Sequence, residues 1–84
     1  MLTQTDRRAR SKALEKLRET RIKNLRLLCE HYGSQSELAR MLGCASPRIN
    51  QLCGPNPTRN LAEEAARNYE AILKLPSGWL DIPR

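Results

Sequence analysis

The chain has no phenylalanine and no valine among its 84 residues, and only one tryptophan and two tyrosines. A core must therefore come from Leu, Ile, Ala, Met and Cys. With β-branched residues this scarce, small packed helices are favoured over sheets. No stretch approaches the roughly 18 apolar residues of a membrane span, and no apolar segment follows the N-terminal charges as in an export signal. The three cysteines, Cys29, Cys44 and Cys53, form no CxxC pair, and with the single histidine, His31, they match no zinc spacing. They read as reduced, mostly buried thiols of a cytosolic protein that carries no metal and no cofactor. A Gly-rich phosphate loop and paired carboxylates in an apolar setting are also lacking. The chain is read as a non-enzyme with no evident small-molecule ligand.

What is present is charge, unevenly placed. Residues 1–26 hold nine Lys or Arg against three acids, so the whole net charge of +6 sits there and the remainder is neutral. Such asymmetry suits an anionic polymer or surface, although a charge-rich end is also commonly a solvated tail. A membrane-surface helix is the weaker form of this reading, because the apolar face before residue 28 lacks Trp and Phe.

Eighty-four residues make one domain. Leu14, Leu17, Leu25, Leu28 and Tyr32 recur at helical spacing, interrupted at Arg21 with Ile22 beside it. This pattern allows one long helix, or a frayed basic arm (residues 1–20) entering a packed domain (residues 21–84). Gly33 is placed to end the helix in a left-handed conformation. Ser34 and Glu37 fit a capping box for a short helix with Leu38, Met41 and Leu42 on its buried stripe, stopped by Gly43. Ser46 is expected to cap the next helix, with Pro47 at its first position, and Gly54-Pro55-Asn56-Pro57 ends it. Asn60 and Glu63 offer another capping box for a helix carrying Leu61, Ala65, Ala66, Tyr69, Ile72 and Leu73 to about Leu75. Trp79 and Leu80 are too apolar for a free tail and are expected to fold back. The expected fold is all-α, a compact four- to five-helix bundle.

Two short helices joined by a three-residue turn cross steeply, which restricts the side chains that fit. Ala39 lies where the second helix passes close, and Gly43 supplies the special backbone geometry of the turn. Leu38, Leu42, Ile49 and Leu52 face inward. A small residue at Ala39, a Gly four residues on and an Ile six beyond that is the spacing of DNA-binding helix-turn-helix units. On a helix from Ser46, the face opposite Ile49 and Leu52 centres on Pro47 and Gln51, flanked by Asn50 and Arg48. Gln51 can pair bidentately with adenine, and Arg48 with guanine or a phosphate. Ser46 enters the groove first.

The run QSELARMLGCASPRINQL, Gln35 to Leu52, resembles the helix-turn-helix domains of phage repressors and Cro-like regulators. The ending LPSGWLD, Leu75 to Asp81, looks like the close of the N-terminal domain of such repressors. The resemblance covers about Arg21–Asp81. Cys44 departs from the usual aliphatic residue, Pro55 and Pro57 stiffen the following loop, and no second domain follows. The chain therefore reads either as a Cro-sized protein or as a domain of a longer repressor. By this resemblance Gln35 would bond a phosphate.

The resulting expectation is a nucleoid-associated regulator that occupies a palindromic operator in double-stranded DNA as a homodimer. Ser46, Pro47, Arg48, Asn50 and Gln51 would read bases. Gln35, with Arg7, Arg8, Arg10 and Lys12 of the arm, would meet phosphates. The alternative is a helix-turn-helix module that binds protein or RNA. The last helix with the Trp79 tail, and the Leu14/Leu17 stripe, are the candidate dimer contacts. Glu64, Arg67 and Glu70 read as a solvated, salt-bridged face, His31 as a helix-end residue, and Tyr32, Tyr69 and Trp79 as core.

Overall fold

The computed structural model describes the backbone of residues 4–84 and the side chains of residues 12–84. Among the described residues there are four α-helices and no strand: α1 (Gln4–Tyr32), α2 (Gln35–Leu42), α3 (Ser46–Cys53) and α4 (Glu63–Ile72), closed by a single 3₁₀ turn at Trp79–Asp81. No helix among them is long and apolar enough to cross a membrane.

The 29 residues of α1 form one unbroken helix across the basic segment. At 1.5 Å per residue it is about 44 Å long, which accounts for the 45 Å long axis of the molecule. Among the described side chains of α1, the buried ones all lie from Arg21 onward. Arg21, Asn24, Leu25, Leu28 and Cys29 are buried at helical spacing, whereas Leu14 is 54% exposed. The core is completed by Leu38, Ala39 and Leu42 of α2, Ile49, Leu52 and Cys53 of α3, Ala66 and Tyr69 of α4, and by Leu61 and Leu80.

Two helix ends use the same device. Gly43 (φ 71°) follows α2 and donates to the Arg40 carbonyl at 3.2 Å, while the Cys44 N–H donates to Ala39 at 3.0 Å. These are both bonds of a Schellman motif, and the left-handed residue it requires is cheapest as glycine. After α4 the pair is Lys74 to Ala71 at 3.2 Å and Leu75 to Glu70 at 2.8 Å. Here the left-handed position is Lys74, at φ 59°. This helix therefore ends at Ile72 rather than near Leu75, because Leu75 turns back onto the core.

Other expectations are corrected as well. The cap of α3 is Ala45 and Ser46 is already helical, while α4 begins after Ala62 with no side-chain cap from Asn60. The Leu61 carbonyl is taken at 2.8 Å by Arg21 Nη1, which holds residues before Ala62 out of the helix. Met41 and Ile72 lie on the outer side of their helices, 46% and 48% exposed.

The apparent interruption at Arg21 is a buried polar junction. Arg21 Nε donates to Asp81 Oδ1 at 2.7 Å and Nη2 donates to Oδ2 at 3.2 Å, a two-pronged ion pair across 60 residues. Arg67 Nη2 reaches the same carboxylate at 2.9 Å. Glu70 is 1% exposed rather than solvated, and accepts the backbone N–H of Gly78 at 3.0 Å and of Leu80 at 2.8 Å. Arg67 Nε lies 2.8 Å from Glu70 Oε1 without making a hydrogen bond, and the bond between the two side chains is donated by Nη2 to Oε2 at 3.3 Å. Asn24 Nδ2 donates to the Leu80 and Ile82 carbonyls at 2.8 and 3.0 Å. The C-terminal turn is thus fastened through its own backbone, and Leu80 is driven to 0% exposure.

Burying one Leu contributes about 2 kcal/mol, whereas stranding one partner of a buried ion pair costs about 3–5 kcal/mol. The Arg21 hydrogen bond holds the Asp81 carboxyl below its usual value, against the opposing effect of burial. The pair's contribution is therefore complete above about pH 4, where an unfolded aspartate is ionised, and is lost as pH falls through the depressed pKa. Asp81→Asn is expected to lose about 3 kcal/mol at pH 7 in urea unfolding. The gap to the parent should close on acidification. A gap that stays constant down to pH 2 would exclude the ion pair as its origin.

Candidate nucleic-acid interface

The two crossing helices are α2 and α3, joined through Gly43, Cys44 and Ala45. Leu38 (0% exposed), Ala39 (1%), Leu42 (7%), Ile49 (0%) and Leu52 (3%) form their inner side. Ser34 caps α2 by accepting the Glu37 N–H at 3.1 Å. The return half of a capping box is not made, because the Glu37 carboxylate pairs with Arg40 instead.

With Ile49, Leu52 and Cys53 inward, Pro47, Arg48 and Asn50 are exposed and Gln51 is half-buried. Ser46 is half-buried, and its hydroxyl donates to Ser36 Oγ at 3.3 Å across the turn. It therefore ties the two helices together as well as standing at the leading end of α3. Gln35 opens α2 and is half-buried. Lys12 lies exposed on α1. The side chains of Arg7, Arg8 and Arg10 lie outside the described residues.

The last turn of α3 has no side-chain cap of its own, yet its carbonyls are nearly all engaged. Gly54 N–H donates to Asn50 O at 2.8 Å, and Thr58 and Arg59 donate to Gln51 O at 2.9 and 3.1 Å. From α1, Arg26 Nε reaches Cys53 O and Nη2 reaches Gly54 O, each at 2.9 Å. A cation at the negative end of a helix is favourable twice over, through the bonds and through the dipole. Sequence reading missed Arg26, which belongs to a charge-rich segment and caps a helix 27 residues away. It also missed that Arg48 Nε donates to the Tyr69 hydroxyl at 3.2 Å, which binds α3 to α4 and stabilises the charged guanidinium.

The thiols are core. Cys29 and Cys53 face each other at 4.0 Å, and burial, with Cys29 alongside, pushes the Cys53 thiol up to about 12. Cys44 is half-buried in the turn. Among the described residues, no group of three His, Cys, Asp or Glu is arranged to hold a metal ion.

This geometry defines a class, a small all-helical domain built around a helix-turn-helix. The chain is similar to the prophage repressor CohE of Escherichia coli (strain K12), 29% identical over 68 residues. The match covers 81% of this chain but 30% of that protein, so the chain spans under a third of its relative. This similarity supports the phage repressor and Cro-like family read from the sequence. No family model matches the chain, and no solved structure does.

If the crossing at Ala39 sets the angle between α2 and α3, a larger residue must push them apart. Ala39→Leu is expected to cost about 1–3 kcal/mol by overpacking, read as a lowered melting temperature. An unchanged melting temperature would mean that the crossing has slack.

Proposed function

We propose that this chain is a sequence-specific double-stranded-DNA-binding regulator of the phage-repressor type, acting by operator occupancy and not by catalysis. The observation that carries the reading is the outward face of α3. Pro47, Arg48, Asn50 and Gln51 line a helix whose opposite face is buried and whose last turn is held by Arg26 and the following loop. A helix fixed this way can lie in a major groove with Gln51 against an adenine edge, Ser46 leading and Asn50 alongside. Gln35 at the start of α2 meets a phosphate, where exposed amides and the helix dipole favour an anion.

A single domain of this size covers little DNA, so two copies occupy half-sites of a palindromic operator about 34 Å apart. The net charge of +6, concentrated before residue 27, supplies the sequence-independent part of the attraction. Arg7, Arg8, Arg10 and Lys12 are the proposed contributors from the first helix. A regulator of this kind works in the cytoplasm on the nucleoid.

Gln51→Ala is expected to weaken binding to a duplex selected from a random pool by about 1–3 kcal/mol, and to leave binding to mixed-sequence DNA nearly unchanged. Equal losses on both remove Gln51 from base reading. Preference for single-stranded or structured RNA over duplex DNA would favour the RNA-binding alternative. Deleting residues 1–12 is expected to leave the fold intact and weaken all duplexes alike. The slope of log K against log salt should flatten by about 0.9 for each phosphate that the shortened chain no longer neutralises. An identical salt slope would show the segment to be a solvated end.

A further inference from the structure

We propose that Tyr69 is a positioning residue for nucleic-acid binding, holding Arg48 against a backbone phosphate at the rim of the groove rather than against a base edge. This rests on the DNA-binding reading of α3 and assigns Arg48 a different task within it.

Rotation about the helix axis places Arg48 first. At about 100° per residue, it is displaced one step from Ile49, whereas the centre of the outward face falls between Pro47 and Gln51. Arg48 therefore sits on a shoulder of α3, and Tyr69 fixes which neighbour that shoulder meets. The Tyr69 residue is 7% exposed and belongs to the core, yet its hydroxyl accepts from Nε of the exposed Arg48 at 3.2 Å. A guanidinium has five N–H donors in a fixed fork. With Nε engaged, its two terminal nitrogens retain four, and among the described residues neither is bonded. The Tyr69 oxygen has accepted a bond, so its own hydrogen is left to donate.

Every hydrogen that this pair still presents is thus a donor beside a permanent positive charge. The complementary ligand is an acceptor-only anion, which describes a phosphate oxygen. Guanine also offers two acceptors, but reaching them needs the arginine extended outward along the centre of the reading face. An arginine tied at Nε to a neighbouring helix is turned sideways from that path. A guanidinium held in place before binding also has less rotamer freedom to lose when it meets its ligand.

The test uses the full chain, a duplex selected from a random pool by the parent protein, and a mixed-sequence duplex of equal length. Tyr69→Phe keeps the ring and removes the hydroxyl, and is expected to weaken both duplexes alike by about 3- to 10-fold. Its salt slope should be unchanged, because the charge remains. Arg48→Ala, at an exposed position, is expected to weaken both more strongly and to flatten the slope by about 0.9. The double variant should bind like Arg48→Ala alone. An unaltered affinity for Tyr69→Phe overturns the proposal, as does an Arg48→Ala loss confined to the selected duplex or additive losses in the double variant. If Tyr69→Phe fails to fold, Arg48→Ala decides alone by whether its loss is shared by both duplexes. Failure of the broader reading is separable, since the parent protein would then bind neither duplex and no selected sequence would emerge.

Discussion

Arg21 sits in the middle of an apolar helix face and is buried with its charge. Such a group is tolerated only if partners reach it, and two distant parts of the chain do. Asp81 supplies both carboxylate oxygens, and Leu61 supplies a carbonyl from the segment before α4. Arg67 then shares Asp81 and pairs with Glu70. The domain closes on this cluster. Leu80 is buried because Glu70 and Asn24 take its backbone groups, and α4 is linked to α1 through the C-terminal turn that both hold. Ion pairs of this kind contribute little net stability over a well-packed apolar equivalent. Their effect is selective, since any other arrangement of the C-terminal turn leaves a guanidinium buried alone.

The helix-turn-helix is held from outside in much the same spirit. Its inner face is ordinary apolar packing, but its outward helix is too short to be stable by itself. Arg26 from α1, the loop after Gly54 and Tyr69 from α4 each bond to α3 at a different place. Three elements thus fix the orientation of one eight-residue helix. The proposed role in reading DNA requires such fixing, because a small tilt would displace side chains at a groove by more than a hydrogen bond tolerates.

Local chemistry is legible in the sequence, whereas distant pairing is not. Ser34, Gly33 and Gly43 announce helix ends because a cap is an interaction between residues a few positions apart. The Ala39, Gly43 and Ile49 spacing likewise encodes one short crossing. Met41 falls outside the core because α2 has only two turns and packs through Leu38 and Leu42, leaving the third stripe position in solvent. Arg21 and Glu70 read as a break and a solvated face because their partners, Asp81 and the backbone at Gly78 and Leu80, belong to the far end of the chain. The end of α4 is hidden for another reason. Lys74 takes the left-handed position without being the glycine that advertises it. Of the candidate site, the outward face of α3 follows from periodicity alone, but its supports Arg26 and Tyr69 carry no local signal.

The continuity of α1 has a consequence for how its two halves are related. A flexible connection would leave the first half free to sample directions, whereas a helix without a break is a screw of fixed pitch. Residue count along it is therefore equivalent to an angle. One residue inserted between Lys12 and Thr20 would swing the helix from Gln4 to the insertion by about 100° around the axis, and seven would restore the original phase to within about 20°. The direction in which the basic end points is consequently encoded as a length, in the number of residues separating it from Arg21.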